Sequence, residues 1–276
     1  MRCIGREVMR PPEAILCIDI DGTLIDSKER VHARDIHTFN NLPEVFQPIL
    51  TTGRILHSAK GVLKQNGLLI DSTLDLPGVF MNGGVAYLPF EELHTQHAFV
   101  PATLKNLMDL ATAYPTSAFT FFGIDAVYLV NATDFGKYIA QIHYLDAQET
   151  EAKAVPSTIV KVMILEQDIP TLKNIELDAQ ILNAEMAYSL PYAFEINPPG
   201  ITKARTLSRL LHAMRLDSLP IHVVGDGEND LSLFEIARIN FAPDTSHPKV
   251  LDQADYIFSR EPRGLLAPIL EIIQNK

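Results

Sequence analysis

The 276-residue chain has no tryptophan and only two cysteines, and what it lacks narrows the classes of protein to which it can belong. Cys3 lies near the terminus and Cys17 inside an apolar run, so no disulfide framework is predicted and a reducing compartment fits. No apolar run approaches the roughly 20 residues that span a bilayer, and no apolar segment of the secretory type follows the N-terminal arginines. We predict a cytoplasmic protein with no membrane partner.

Positive charge is also in short supply. The chain carries 23 lysines and arginines against 34 aspartates and glutamates, a formal net charge of -11, and no basic run offsets this locally. Such a chain repels nucleic acid phosphates, so we predict no nucleic-acid partner. A protein of this kind that handles phosphate must bring positive charge to its site with a few placed basic side chains or a bound metal ion.

Hydrophobic residues, by contrast, make up 47% of the chain, enough for one large domain or two smaller ones. Short apolar runs that end in polar loops and lead into helical periodicity are typical of α/β proteins, and they occupy residues 13–86 and 191–276. Residues 87–190 contain hairpin-like and amphipathic segments instead. We predict an α/β fold with a doubly wound, Rossmann-like parallel sheet core, an α+β cap inserted at 87–190, and a disordered tail at 1–12.

Polar residues of related kinds follow several of the predicted strands. Ligands of open parallel sheets bind outside the carboxyl ends of the strands, so these residues are expected to meet in one crevice. Together they can hold one hard cation and one phosphoryl group. In chain order they are Asp19, Asp21, Thr52, Gly53, Lys203 and Asp226.

The chemistry of these residues favours phosphoryl transfer. Ionised Asp19 can attack phosphorus without a base and form an acyl phosphate, which divides one hard displacement into two easier ones. Asp21 can protonate the leaving oxygen and then activate water. Magnesium prefers oxygen ligands, which Asp19, Asp226 and the Asp21 carbonyl can supply. Lys203 and the Thr52 hydroxyl can hold the remaining phosphoryl oxygens.

Four segments of the sequence resemble, in order and approximate spacing, the four motifs of the haloacid dehalogenase-like hydrolases. They are DIDGTL at 19–24, TGR at 52–54, Lys203, and GDGEND at 225–230. The long insertion between the second and third motifs is similar to the α/β cap of the Cof-type sugar-phosphatase branch. The resemblance covers nearly the whole chain after about Ala14.

The resemblance implies a magnesium-dependent phosphatase that acts on phosphate monoesters of small metabolites, foremost sugar phosphates, through an aspartyl-phosphate intermediate. Asp19 is then the nucleophile and Asp21 the acid/base. The remaining implied roles are magnesium binding by Asp19, Asp21 and Asp226, contact with the phosphoryl group by Thr52, Gly53, Lys203 and Asn229, and support of the lysine or the metal-bound water by Asp230.

Two other functions are compatible with these residues. A sugar phosphomutase of the same fold would return the phosphoryl group from Asp19 to another hydroxyl of the sugar. A non-catalytic phospho-accepting switch also places aspartate, threonine and lysine at strand ends, although Asp21 and the long insertion argue against it. The sequence predicts neither the physiological substrate, nor the cap residues that select it, nor the oligomeric state.

Each candidate residue also has a purely structural interpretation. Thr52 is compatible with a helix-capping threonine, and Asn229 or Asp230 with an N-cap of the following helix. Lys203 on an amphipathic helix is most often a solvated side chain. The histidines are scattered, so no zinc or iron site is predicted.

Overall fold

The computed structural model describes residues 11–69, 74–89, 91, 95–124, 126–143 and 145–276; most of the predicted tail, residues 1–10, lies outside them. The strands form one sheet of eight and one of six. In chain order they are β1 (Ala14–Asp19), β2 (Phe46–Thr51), β3 (Gly78–Phe80), β4 (Val85–Tyr87), β5 (Thr95–Gln96), β6 (Ala118–Phe122), β7 (Val127–Val130), β8 (Ala147–Thr150), β9 (Lys161–Leu165), β10 (Glu185–Leu190), β11 (Ala193–Asn197), β12 (Ile221–Val224), β13 (Ile239–Pro243) and β14 (Tyr256–Phe258).

Helices connect and cover these strands. Thr202 caps one of them, α6, by accepting a hydrogen bond from the Arg205 amide, as expected of an N-cap threonine. In chain order the helices are α1 (Ala33–Asn40), α2 (Leu56–Gln65), α3 (Pro101–Ala113), α4 (Asp134–Ile142), α5 (Ile169–Ala179), α6 (Lys203–Met214), α7 (Leu231–Phe234), α8 (Pro248–Leu251) and α9 (Leu266–Gln274).

The eight-stranded sheet has the order β14-β13-β12-β1-β2-β3-β4-β5. Its strands from β14 to β3 are parallel, and β1 lies between β12 and β2. Asp19 is in register with Thr51, while Ile18 is in register with Val224, the last residue of β12. The register therefore brings the polar loops after these three strands to one edge of the sheet.

The far edge of this sheet differs from the parallel arrangement predicted from the sequence. β4 pairs antiparallel with β3, and β5 pairs antiparallel with β4. A short 3₁₀ turn, Met81–Gly83, reverses the chain directly after β3, and a connection of that length permits only an antiparallel neighbour. The predicted α/β class and Rossmann-like core are confirmed, with a mixed rather than wholly parallel sheet.

The core lies on both faces of the larger sheet, as the doubly wound prediction requires. Along β1, Ile15 and Cys17 belong to the apolar cluster that includes Leu207 of α6. Leu16 and the next alternate residue, Ile18, belong to the cluster that includes the α9 side chains. A strand buried on both faces has a continuous apolar sequence, so β1 could be predicted from the sequence.

The six-stranded sheet has the order β10-β11-β9-β6-β7-β8 and is antiparallel except between β7 and β8. The predicted cap, 87–190, contains most of it. However, β5 belongs to the larger sheet, and β11 to the smaller one. On sheet membership we propose cap limits of about 97–197. No helix in the described part of the chain is long and apolar enough to cross a membrane.

Candidate active site

Asp19 ends β1 and is 4% exposed. Lys203, the first residue of α6, brings its ammonium group 2.7 Å from Asp19 Oδ1. The same Nζ lies 2.7 Å from Asp230 Oδ1 and 3.3 Å from the Thr51 carbonyl oxygen. With an exposed fraction of 1%, Lys203 is not a solvated helix residue, so the structural interpretation of this lysine is wrong.

Asp226 follows β12 and faces the loop that follows β1. Its Oδ1 accepts a hydrogen bond from the Thr23 hydroxyl at 3.0 Å. Gly22 has a φ of 75°, and a Cβ added there would lie 2.1 Å from Asp226 Oδ2. Only glycine both adopts this backbone conformation readily and leaves room for the carboxylate. The glycine of the DIDGTL segment therefore lets two loops from separate strands approach each other.

Carboxylate oxygens of three residues, Asp19, Asp226 and Asp230, lie within 4.8 Å of one another. Burial raises the pKa of Asp19 well above its usual value, against the opposing effect of Lys203, and Asp230 and Asp226 raise it further. Burial and the Asp230 charge raise the pKa of Asp226 to about 7. A single lysine does not balance these three carboxylates, of which Asp19 and Asp230 are buried and Asp226 is partly exposed, so the cluster favours either a proton or a cation. Oxygen donors of this kind fit a hard divalent ion.

Asp230 has a mainly positioning role in this cluster. Its Oδ1 accepts from Lys203, while its Oδ2 accepts from the backbone amides of Asp226 and Gly227, both at 3.1 Å. Asp230 thus caps the 3₁₀ turn Glu228–Asp230 and orients the lysine at the same time. Asp230 makes no side-chain capping hydrogen bond to the following helix α7, so the predicted N-cap of that helix is not observed, whereas its contact with Lys203 is compatible with the predicted support of the lysine.

The Asp21 carboxylate lies outside the three-carboxylate cluster because Arg54 binds it. Arg54 Nε is 2.8 Å from Asp21 Oδ2, and Nη2 is 2.7 Å from Oδ1, a bidentate geometry. Arg54 Nη2 also contacts Glu29 Oε1 at 2.6 Å. Despite the cost of burial, the Asp21 and Glu29 carboxylates raise the pKa of Arg54, so the guanidinium remains charged.

Arg54 also connects this region to the cap. Its Nη1 donates to the Ser58 hydroxyl at 3.2 Å, and Ser58 donates to the His143 carbonyl oxygen, just beyond α4, at 3.0 Å. The sequence leaves two interpretations of Arg54 open, contact with substrate or support of its loop, with loop support slightly favoured. The signal for its observed partner is its place in the TGR motif, directly after β2, whose neighbour β1 leads into the loop that carries Asp21.

Thr52 lies in the loop after β2 and is completely buried. Its hydroxyl oxygen accepts from the Arg54 amide at 3.0 Å, which leaves its hydrogen free to donate. α2 begins at Leu56 with Ile55 as its N-cap, so Thr52 does not cap that helix. The loop is held to the sheet by the Thr52 amide, which donates to the Val79 carbonyl oxygen at 2.8 Å.

Gly53 and Asn229 contact residues that the sequence did not single out as partners. The Gly53 carbonyl oxygen accepts from Lys161 Nζ of cap strand β9 at 2.7 Å. Asn229 Nδ2 donates to Asn82 Oδ1 at 3.0 Å. Asn82 in turn donates to Glu195 of β11. In the sequence, Lys161 and Glu195 stand out only as charged residues inside otherwise apolar strands.

A cavity of about 170 Å³ opens beside this cluster. Core residues form one side of it and cap strand β10 the other. Its lining combines apolar side chains with amide and charged ones, the latter being Asn82, Glu185, Asn197, Lys203, Glu228 and Asn229.

The sequence profile of the family described as haloacid dehalogenase-like hydrolase matches residues 16–264. The chain therefore belongs to the haloacid dehalogenase-like hydrolases, as its four motifs predicted. The match covers the loops that carry Asp19, Thr52, Lys203 and Asp226. Membership is thus consistent with the geometry of the candidate site.

Individual proteins across this superfamily resemble the chain over most of its length. Phosphoglycolate phosphatase of Methanothermobacter thermautotrophicus is 23% identical, over 88% of this chain and 91% of that protein. The 5-amino-6-(5-phospho-D-ribitylamino)uracil phosphatase YitU of Bacillus subtilis is 23% identical, over 83% and 85% respectively. A solved subclass IIB sugar phosphatase aligns with a TM-score of 0.79 at 18% identity, covering 94% of this chain and 98% of that one, so the two share a fold.

Proposed function

We propose that this hydrolase removes the phosphoryl group from phosphate monoesters of small metabolites, with Asp19 as the nucleophile. The observation that carries the proposal is the buried Lys203, 2.7 Å from both Asp19 and Asp230, beside a third carboxylate and a cavity. Carboxylates that follow separate strands supply the nucleophile, and the lysine at the start of α6 supplies positive charge for the phosphoryl group.

In the first step an Asp19 oxygen bonds to phosphorus while the bond between phosphorus and the ester oxygen breaks. The leaving oxygen takes a proton from Asp21. Lys203 and the Thr52 hydroxyl hold phosphoryl oxygens during this transfer. To act as the acid, Asp21 leaves its ion pair with Arg54 and takes up a proton from solvent before it reaches the leaving group. Arg54 also contacts Ser58, which donates to a cap carbonyl oxygen, so movement of the cap can alter that pairing.

In the second step water attacks the phosphorus of the aspartyl phosphate. Asp21, now a carboxylate, accepts a proton from that water. The bond between phosphorus and Asp19 oxygen breaks, which releases inorganic phosphate and restores the Asp19 carboxylate. The same residue thus serves as acid and then as base, and the protons balance over the cycle.

Magnesium is the cation we propose for the carboxylate cluster. Asp19 and Asp226 would hold it, with the Asp21 carbonyl as a third oxygen, while Asp230 is already engaged by Lys203 and two amides. When bound, the ion neutralises charge between the carboxylates and the phosphoryl oxygens. The raised pKa of Asp226, about 7, fits a ligand position that is incomplete without a cation.

Sugar phosphates are the substrate class we propose. The amides of Asn82, Asn197 and Asn229 in the cavity lining can hydrogen-bond to hydroxyl groups, and the Glu185 carboxylate disfavours a second anionic group on the substrate. A protein that shares this fold is named a sugar phosphatase. A relative is named a phosphoglycolate phosphatase, so phosphoglycolate is included in the test below.

Phosphate release from a panel of sugar phosphates, nucleotides and phosphoglycolate tests the proposal. Each compound is assayed with magnesium and again with excess EDTA. We expect metal-dependent release, fastest with sugar phosphates. Isomerised sugar phosphate without release would instead indicate a mutase, and a stable phosphoenzyme without turnover would indicate a phospho-accepting switch.

A further inference from the structure

A second buried lysine lies on the cap side of the crevice. Lys161 of β9 is 2% exposed and Glu195 of β11 is 4% exposed. Lys161 Nζ is 3.0 Å from Glu195 Oε1 and 2.7 Å from the carbonyl oxygen of Gly53 in the core. The Phe122 ring covers the ammonium group, with its centroid 4.6 Å from Nζ. This pair therefore joins two cap strands to the loop after β2.

The second oxygen of Glu195 continues the contacts toward the cavity. Asn82 Nδ2 donates to Glu195 Oε2, and Asn82 Oδ1 accepts from Asn229 Nδ2. A salt-bridged carboxylate can only accept hydrogen bonds, whereas a carboxamide has distinct donating and accepting ends. Glu195 consequently decides which end of Asn82 faces it, and Asn82 decides the same for Asn229.

The backbone around Asn82 is held in a costly conformation. Met81, Asn82 and Gly83 have φ values of 51°, 55° and 104°, all in the left-handed region. Asn197 of the cap donates to the Met81 carbonyl oxygen at 2.8 Å, and Thr206 of α6 donates to that of Gly83 at 2.8 Å. Strained backbone that its surroundings fix in this way occurs preferentially at functional sites.

We infer that the Lys161–Glu195 pair is a positioning element of the cap, which orients the Asn82 and Asn229 amides toward the cavity and thereby favours leaving groups that carry hydroxyls. Asn82 and Asn229 line the cavity, together with Lys203, whereas Lys161 and Glu195 do not. The pair thus acts through the two amides. A hydroxyl both donates and accepts, so it matches an amide of fixed orientation.

This inference rests on the proposed phosphatase function, which assigns the Lys203 end of the cavity to the phosphoryl group. The test compares two substrates, glucose 6-phosphate, whose leaving group carries hydroxyls, and phenyl phosphate, whose leaving group carries none. The Glu195→Gln side chain can present either end of its amide to Asn82. For this variant we expect the kcat/KM for glucose 6-phosphate, divided by that for phenyl phosphate, to fall by about tenfold or more. We expect the fall mainly for glucose 6-phosphate.

Ser117→Ala is the matched control. Ser117 is a fully buried cap residue whose hydroxyl donates to Glu166 at 2.6 Å, away from the cavity. Its loss perturbs cap packing without touching Asn82 or Asn229. We expect the substrate ratio of this variant to stay at the wild-type value.

Glu195→Gln leaves the buried Lys161 charge without its partner and can fail to fold. The double variant Lys161→Met, Glu195→Gln removes both charges but keeps the ambiguous amide. We expect it to be more thermally stable than Glu195→Gln and to show the same reduced ratio. Recovery of the wild-type ratio in the double variant would overturn the positioning role, as would an equal fall for both substrates in either variant.

Side-chain amide resonances of Asn82 and Asn229, assigned by Asn→Asp substitution, provide a readout that needs no turnover. In the wild-type protein we expect the Asn82 amide protons to exchange slowly with water, and in Glu195→Gln to exchange faster. Unchanged exchange would contradict the inference. If the wild-type enzyme releases phosphate from neither substrate, the phosphatase proposal fails by itself, and the positioning proposal is then decided by these resonances alone.

Discussion

Lys203 and Lys161 are both almost completely buried, yet their surroundings differ in charge. Lys203 contacts Asp19 and Asp230 at 2.7 Å each, with Asp226 close by. Lys161 contacts a single carboxylate, that of Glu195. Three carboxylates exceed one ammonium group in the first environment, whereas the charges balance in the second.

This difference separates two uses of buried charge. An unbalanced cluster raises the pKa values of its carboxyl groups and favours a cation or a substrate that completes it. A balanced pair is complete by itself and gains from fixed geometry rather than from added ligands. The first arrangement fits chemistry at the core edge, and the second fits positioning by the cap.

The largest expected effect is that of Asp19→Asn. The amide is a poor nucleophile, so phosphate release is expected to fall by on the order of 10³-fold or more. The fold is expected to persist, because Lys203 keeps Asp230 as a partner and one repelling carboxylate is removed. Phosphate assays and circular dichroism on the same preparation check both parts. A folded variant with wild-type turnover would remove Asp19 from the mechanism.

Asp226→Asn tests the unbalanced carboxylate cluster through the pH dependence of stabilisation by magnesium. The pKa of Asp226 rises from 3.8 to about 7 in the fold, so its protonated form stabilises the protein below pH 4, and this contribution is lost as pH rises through about 7. Magnesium binds the deprotonated form of Asp226. The increase in Tm on adding magnesium is therefore expected to grow from about pH 5 to about pH 8, as Asp226 loses its proton.

Thermal melts of wild type and Asp226→Asn, with magnesium and with EDTA, measure this dependence. In Asp226→Asn we expect the magnesium shift to be nearly absent at every pH. The double variant Lys161→Met, Glu195→Gln is the control. Because the Lys161–Glu195 pair has no carboxylate in excess for the ion, we expect this variant to keep the magnesium shift. A magnesium shift in Asp226→Asn as large as in wild type would contradict the metal assignment.

A smaller effect is expected for Arg54→Ala, which frees the Asp21 carboxylate. Arg54 also joins this region to Ser58 and Glu29, so its loss removes the support of the loop that presents Asp21, and we expect kcat to fall by about tenfold to a hundredfold with little change in KM. Arg30→Ala is the control, because Arg30 pairs with Asp26 at the surface, with Nε and Nη2 both donating to Oδ2. Equal losses in both variants would show that Arg54 has no special role.

Thr52→Val carries the smallest of these effects. It keeps the side-chain shape but removes the hydroxyl proposed to hold a phosphoryl oxygen, so inorganic phosphate is expected to inhibit about tenfold more weakly. Thr52→Ser, which keeps the hydroxyl, is expected to behave like wild type. Inhibition constants for phosphate in the three proteins decide the matter, and identical constants would exclude Thr52 from phosphate binding.

Many strands and helices of the core domain could be predicted from the sequence, because each has its own local sequence pattern. β1 is a continuous apolar run ending in Asp19. The helical spacing of residues 55–67, with Gly67 as its end, predicts the helix observed as α2, Leu56–Gln65, and Gly67 has a φ of 73°. The spacing of residues 231–238 also predicts a helix, but α7 ends at Phe234. There the chain turns so that the Arg238 amide can reach the Ile221 carbonyl oxygen, a tertiary contact without a local signal.

The site was predictable where its residues follow separate strands, and not where its contacts depend on how the cap meets the core. The sequence identified Asp19 and Asp226 because parallel topology places strand ends together. Lys203, the first residue of α6, is identifiable only through the resemblance of its segment to a hydrolase motif. It missed the partners Arg54 finds in Asp21 and Glu29, and those of Glu195, because such pairings depend on loop paths and on side chains far apart in the chain.

The measurement that tests the central claim most directly is to trap the covalent intermediate. Wild type, Asp19→Asn and Asp21→Asn are mixed with phenyl phosphate labelled at phosphorus, quenched in acid, and digested for peptide mapping. We predict label on the peptide that contains Asp19, more of it in Asp21→Asn because water activation is lost, and none in Asp19→Asn. Turnover by the wild type with no label on that peptide at any time, or with label on another residue, would contradict the account.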